Sequence, residues 1–537
     1  MLLIASIALL MGGSVLVLLL DRSKKRINLA WLISLLICLL TFGLVYLLRL
    51  FLPSEFHLVD WTPLSIFHYA PFLQISYQSW PYAVVLITLL TAVIITDPSR
   101  SRDPRSTIPL AGALGLGGLQ LIAITAGDPL TLVGAWAVID IVEFTYLLRM
   151  QSFSEKHGRL ISALALRLLS VIALIFAIVV AWQVKSDFTL AEIPSSASLY
   201  FLLAAALRLG VLPIYVPYLM NEKVPYGVSV LSRLAPTISA LTLIAYLPGE
   251  FLTLSKGLIN VLHLFALLAA VYASLLWLTR ENLTMARPYW NIALSAFVVQ
   301  SALNGNAQAG QAWGLALLLV GGELFLFEPP IRRINFLPLI ALLGLVGLPY
   351  TPAGLGWEGL IGTGFTWTGL IFIFAHAFLI AGYLRYTLEA SSTITGLDKH
   401  VRITFPLGLI LIIGSIFVLG IIGRPDSLQF TPWLPPVISL GIIALLFGIG
   451  LKLGLRPPFT SYREKIPGFR FLLWVFNGVQ SVFSLGWVYN LGLWIVKPLR
   501  ETGEFLSNIL ESEGGTIWYI VFIVILFTLF VTGIKLP

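Results

Sequence analysis

Residues 207–217 read Leu207-Arg208-Leu209-Gly210-Val211-Leu212-Pro213-Ile214-Tyr215-Val216-Pro217, inside an apolar run from 198 to 219. A run of that length is a membrane helix, since about 20 apolar residues cross the hydrocarbon core. Yet a glycine and two prolines interrupt it, and each proline lacks a backbone donor. Such a break is tolerated in a membrane only where the freed carbonyls are buried in protein or face water. A second stretch repeats the pattern five spans later: Gly344-Leu-Val-Gly-Leu-Pro349-Tyr-Thr-Pro352-Ala-Gly-Leu-Gly-Trp-Glu358. Interrupted helices at corresponding places in two halves of a chain point to a transport site.

The rest of the chain agrees. It is 58% hydrophobic and 11% charged, with mean hydropathy +0.94. A soluble domain carries about 25% charged residues, so this chain cannot cover a water-facing surface of its size. Secreted, disordered and nucleic-acid-binding classes are excluded. A β-barrel would alternate apolar and polar residues in short segments, whereas these runs are continuous. The expected class is an all-α polytopic membrane protein. The single cysteine, Cys38, lies in an apolar run, which rules out a disulfide or an iron–sulfur set. No cofactor is expected.

Windows of about 19 apolar residues place spans at 2–20, 27–51, 81–97, 108–126, 128–149, 160–183, 198–219, 224–247, 256–279, 288–304, 310–328, 336–364, 366–388, 404–422, 433–455 and 516–535. The positive charges after the first run, Arg22 to Arg26, mark a retained span rather than a signal peptide. With the N-terminus outside, most lysines and arginines fall in inside loops, among them Arg100, Arg102, Arg105, Arg332, Arg333, Arg456, Arg463 and Lys465. Outside remain Arg49, Lys185, Lys256 and Arg424. That bias follows the positive-inside rule, and an even span count puts both termini outside.

Ionisable residues within spans are costly and are functional candidates by default. They are Asp140 and Glu143 in the fifth span, Arg167 in the sixth, Arg208 in the seventh and Arg233 in the eighth. Glu323 in the eleventh, Glu358 in the twelfth and His376 in the thirteenth follow. Each has a bland reading too. Asp140 and Glu143, three apart, share one helix face, so an ion pair with Arg167 or Arg208 competes with proton handling. Arg167 is close enough to the inside end to snorkel, whereas Arg208 and Arg233 are too deep and belong on a polar axis. Glu323 lies five residues before Glu328-Pro-Pro and reads as interfacial or functional. Glu358 directly follows a helix break. His376, in Phe-Ala-His-Ala-Phe, reads equally as a satisfied packing histidine. No spacing suggests a metal site or a Ser/His/Asp hydrolase.

These residues resemble the antiporter-like membrane subunits of respiratory complex I, a superfamily shared with Mrp-type antiporters and membrane-bound hydrogenases. The resemblance covers most of residues 100–390. Gly127-Asp-Pro-Leu-Thr-Leu-Val-Gly-Ala-Trp136 is similar to the fifth-helix signature, and Ala165-Leu-Arg167-Leu-Leu to the start of the sixth. The stretch from Leu207 resembles the broken seventh helix. Pro225-Tyr-Gly-Val-Ser-Val-Leu-Ser-Arg233-Leu-Ala235 resembles the eighth, Gly347 to Glu358 the broken twelfth, and Ala381-Gly-Tyr-Leu-Arg385 the end of the thirteenth.

The resemblance implies about 14 core helices with two pseudo-symmetric five-helix bundles, then a fifteenth span, a surface helix and a sixteenth span. The implied divisions are helices 1–3 over 1–107, a first bundle over 108–248 and a second over 249–390. Spans 14 and 15 occupy 391–460, an aromatic amphipathic surface helix 461–515 and the last span 516–537. It implies a non-redox, proton-translocating (or sodium-translocating) subunit of an NADH–quinone-type oxidoreductase. Its partners would be other membrane subunits in a bacterial plasma membrane or thylakoid-type membrane. The implied alternatives are an Mrp-type antiporter, a hydrogenase or inorganic-carbon-uptake module, and a non-pumping scaffold.

By position, the family's seventh-helix lysine falls on Arg208, its eighth-helix base on Arg233 and its twelfth-helix group on Glu358. Its fifth-helix glutamate falls on Ala137, with Asp140 one turn on, and its histidine after the proline on Tyr215. Lysine can give up its proton when desolvated, but arginine effectively cannot. Either the acids and His376 carry protons between fixed positive charges, or the chain keeps the fold and has altered or lost pumping.

Overall fold

The computed structural model describes residues 1–20, 27–57, 71–97, 107–150, 157–185, 188–215, 226–249, 256–280, 283–327, 334–347, 350–361, 366–388, 399–423 and 433–452, with a few single residues beyond 493. The chain divides into two compact units, Met1–Phe469 and Arg470–Pro537. In the second, Ile520, Val521, Ile523, Val524 and Ile525 are helical. The surface helix expected over 461–515 and most of the last span lie outside the described residues.

The first unit is built from helices in chain order. They are α1 (Leu2–Leu20), α2 (Ile27–Leu47), α3 (Trp80–Thr96), α4 (Ile108–Ile124), α5 (Pro129–Met150), α6 (His157–Trp182), α7 (Ser198–Arg208) and α8 (Tyr226–Ala245). There follow α9 (Lys256–Thr279), α10 (Leu283–Leu303), α11 (Ala307–Leu326), α12 (Phe336–Val346), α13 (Pro352–Ile361), α14 (Trp367–Leu388), α15 (Lys399–Gly423) and α16 (Leu434–Lys452). Among the described residues, eight helices are long and apolar enough to cross a membrane, and several shorter apolar helices accompany them. Leu32, Leu36, Ile141, Ile172, Phe176 and Val179 are exposed. A soluble protein rarely exposes so much contiguous apolar surface; here it faces lipid, and the chain is an integral multi-pass membrane protein.

α4 packs on α5 and α8, and α6 on α5 and α7. α9 packs on α10 and α14, and α10 and α13 flank α11. Helix α11 is almost wholly buried and also touches α3, α8 and α15, so it is the shared axis of the unit.

Both interrupted spans are interrupted in the structure. Helix α7 stops at Arg208, and Gly210 adopts φ 73. The Gly210 amide donates to the Leu207 carbonyl (3.2 Å) and Val211 to Ala206 (3.0 Å). This is a Schellman closure, and it needs a left-handed residue that glycine supplies without strain. Gly347 ends α12, also in the left-handed region, at φ 87, and Tyr350 follows at φ 61. Pro217 and Pro349 lie outside the described residues.

One element went unread in the sequence. Strands β1 (Ser54–His57) and β2 (Phe72–Ile75) form an antiparallel hairpin in what reads as a loop. It rests on the start of α5. The Gly127 amide donates to the Phe72 carbonyl (3.0 Å), and the Gln74 amide to that of Thr125 (2.6 Å). Asp128 accepts from the Thr131 amide (2.8 Å), an N-cap bond, and from the Phe72 amide (3.2 Å). The quoted Gly-Asp-Pro is therefore a helix cap and a seat for the hairpin.

Candidate functional site: a buried charge cluster at a broken helix

Asp140 and Glu143 lie on the buried face of α5, one turn apart. Arg208 arrives from the last turn of α7, where the helix dipole favours a cation. Its guanidinium donates twice to Asp140, at 2.9 Å to Oδ2 and 2.8 Å to Oδ1, with both side chains at 0% exposure. Arg167 of α6 donates to Glu143 at 2.6 and 3.3 Å and stands 3.8 Å from Asp140. The indole of Trp136 covers the Arg208 guanidinium at 4.3 Å. Two acids face two arginines, so the cluster is neutral when all four groups are ionised. A proton taken up by either carboxylate weakens its hold on the arginine bonded to it. Arg167, in reach of both acids, is the arginine able to change partner.

The other candidates do not join this cluster. Arg233 lies on α8, one turn before Pro236, with its guanidinium 5.6 Å over the Phe325 ring of α11. Asn291 of α10 donates to the Arg233 carbonyl (3.3 Å). Glu323 is fully buried on α11, within electrostatic reach of the Tyr383 phenol of α14. Glu358 is half-buried on α13, past the second break.

His376 is fully engaged. Its Nε2 faces the Leu345 carbonyl at 2.8 Å and its Nδ1 the Ser439 hydroxyl at 2.7 Å. Leu345 is in the last turn of α12, where helix carbonyls lack intrahelical donors. A neutral ring protonated at Nε2 donates to that carbonyl and accepts from Ser439. The indole of Trp357 stands 4.9 Å away, edge-on. Loss of both bonds in His376→Leu is expected to cost about 1–3 kcal/mol for each polar group left unpaired. His376→Gln, which can donate and accept, should keep most of that stability. Thermal unfolding of the detergent-solubilised complex checks it, and equal melting of both variants would contradict this account.

The list of candidates missed several groups: His263 of α9, Gln300 and Arg287 of α10, and Asn304 just past the end of α10. Two carboxamides four apart at the end of an apolar helix are a visible signal, since that spacing brings side chains together. Arg287 is fully buried, and its guanidinium donates to the Tyr386 hydroxyl.

Neither a protein-family model nor a curated protein sequence matches the chain. Solved structures do. A chain of the Mrp complex from Dietzia sp. DQ12-45-1b superposes with TM-score 0.72 at 16% identity, over 100% of this chain and 63% of that one. A chain of the membrane-bound sulfane sulfur reductase, an archaeal respiratory membrane complex, superposes with TM-score 0.64 at 14% identity, over 97% of this chain and 99% of that one. The chain shares the fold of these two membrane-complex chains. It spans about two-thirds of the length of that Mrp chain. The Trp136 ring covers the Arg208 guanidinium, while the next residue, Ala137, stands where the resemblance leads one to expect an acid. The carboxylate instead comes from Asp140, one turn further along α5.

Proposed function

We propose that the chain is an ion-translocating, antiporter-like subunit of a multi-subunit NADH–quinone-type oxidoreductase. It would move protons in response to quinone chemistry in a partner and would hold no redox centre itself. The observation that carries this reading is the buried Asp140–Arg208–Glu143–Arg167 cluster at a broken helix. A cluster of four charges is expensive to bury, and a membrane segment keeps such groups chiefly where ions move. The two-bundle division over 108–248 and 249–390 belongs to this proposal. In the first bundle, Arg167 would exchange between Asp140 and Glu143 as one of them takes up a proton. Arg208 and Arg233 would act as fixed charges. Glu323 and Glu358 would continue the path through the second bundle.

A second reading, a non-pumping scaffold, is favoured by the two hydrogen bonds that tie Asp140 to Arg208, because arginine effectively cannot release a proton. Sealed vesicles containing the intact native complex separate the two. With Glu358→Gln and Asp140→Asn compared against wild type and normalised to assembled complex, pumping per electron should fall several-fold. Unchanged pumping in both variants would establish the scaffold.

A further inference from the structure

We propose that His263 is the terminal proton-exchanging group of the second bundle, tethered to the Glu358 helix by Gln300 and Asn304. This rests on the translocating reading above and names the outlet that it requires. Three successive hydrogen bonds run from α9 through α10 to α13. His263 Nδ1 lies 3.1 Å from Gln300 Oε1. Gln300 Nε2 donates to Asn304 Oδ1 at 3.1 Å. Asn304 Nδ2 donates to the carbonyl of Gly359, the residue after Glu358, at 2.8 Å.

The string has a direction. Each carboxamide gives its N–H towards α13 and receives at its oxygen from the α9 side. The Gln300 oxygen therefore asks for a proton on His263 Nδ1, which leaves Nε2 of the neutral ring as the basic lone pair. The carboxamides themselves do not titrate; they fix the imidazole and the rotation of α13.

A proton lost by Glu358 also needs water, and unpaired donors lie along its helix, against the backbone at Gly356 and Gly359. The Ser301 hydroxyl and the Trp313 and Trp357 indole N–H groups are buried without a protein partner among the described residues. A Cβ on Gly359 would stand 3.0 Å from Ser301 Oγ, so that hydroxyl abuts the backbone beside Glu358. Buried orphan donors of this kind are normally met by ordered water. The step balances without a co-reactant: the Glu358 carboxyl releases a proton through water to His263 Nε2, and the imidazolium releases one to the aqueous phase. His263 is two turns from the start of α9 and half-buried, which suits a group at the edge of the protein.

The test uses the native complex in sealed vesicles, with pumping per electron read as membrane potential, which a weak base does not collapse. His263→Ala should lower pumping about a hundredfold, the low end of the usual yield of a positioned proton-transfer group. Added imidazole should restore at least half of it, which repacking of a structural residue would not allow. Asn304→Leu should lower pumping without a response to imidazole. Glu358→Gln reports on the parent reading. If Glu358→Gln lowers pumping and His263→Ala does not, the outlet is elsewhere and only this proposal falls. If His263→Ala lowers pumping but imidazole restores nothing, His263 is structural and the proposal is overturned. If neither variant changes pumping, this proposal falls, and the parent reading falls with it when Asp140→Asn is unchanged as well.

Discussion

Arg208→Met alone is expected to destabilise the protein by about 3–5 kcal/mol, the usual cost of removing one partner from a buried ion pair. The double replacement Asp140→Leu/Arg208→Met should recover most of that loss. The reason is geometric. The two side chains are fully buried and bonded twice, at 2.8 and 2.9 Å, so removal of one strands the other away from water. The singles should not be equal. Without Arg208, Asp140 can take up a proton, or lean on Arg167 at 3.8 Å. Without Asp140, Arg208 can shed no charge and keeps the Trp136 ring at 4.3 Å, worth about 2 kcal/mol when desolvated, with a more distant attraction to Glu143. Asp140→Leu is therefore the worse single change. Assembled yield and thermal midpoint in detergent measure the cycle. A double variant no more stable than the worse single would show that the pair is not an isolated energetic unit. If the double variant assembles but pumps nothing, the pair's purpose is transport rather than stability.

The sequence exposed those parts of the site whose cost is local. Glycine and proline within an apolar run announce a broken helix because no intact membrane helix accommodates them cheaply. Asp140 and Glu143 announce a shared partner because residues three apart lie on one face. The partner itself was not legible. Arg208 takes Asp140 and Arg167 takes Glu143 through the depth at which α6 and α7 cross α5, which is a tertiary quantity. The hairpin of Ser54–His57 and Phe72–Ile75 was missed because its register is set by hydrogen bonds to Thr125 and Gly127, not by alternation in its four-residue strands. His263 escaped for another reason. Its meaning depends on Gln300 and Asn304, and a search for charges passes over amides.

Gly420→Ala should disturb the second broken helix more than any other single methyl on α15. The Gly420 backbone is pressed against the Tyr350 carbonyl, and a Cβ there would also stand 3.0 Å from Thr351 Cα. Its neighbours are backbone atoms, which cannot rotate aside. Tyr350 already sits at φ 61, and a non-glycine residue in that region carries about 1–2 kcal/mol of strain. The break is held in place from three sides. Gly420 of α15 admits the Tyr350 carbonyl, His376 of α14 binds the Leu345 carbonyl, and Ser439 of α16 fixes His376. An added methyl must move α15 or the break, and overpacking of this kind costs about 1–3 kcal/mol. Glu358 lies two turns past the displaced backbone, so pumping per electron should fall along with stability. Gly414, on the same helix, offers the control: a Cβ there meets nothing within 4 Å. Gly414→Ala should be neutral, or stabilising by up to about 1 kcal/mol through helix propensity. Thermal midpoints and vesicle pumping for the two variants decide the matter. Equal behaviour would mean that α15 does not hold the break, and that the conformation at Tyr350 is maintained within α12 and α13 alone.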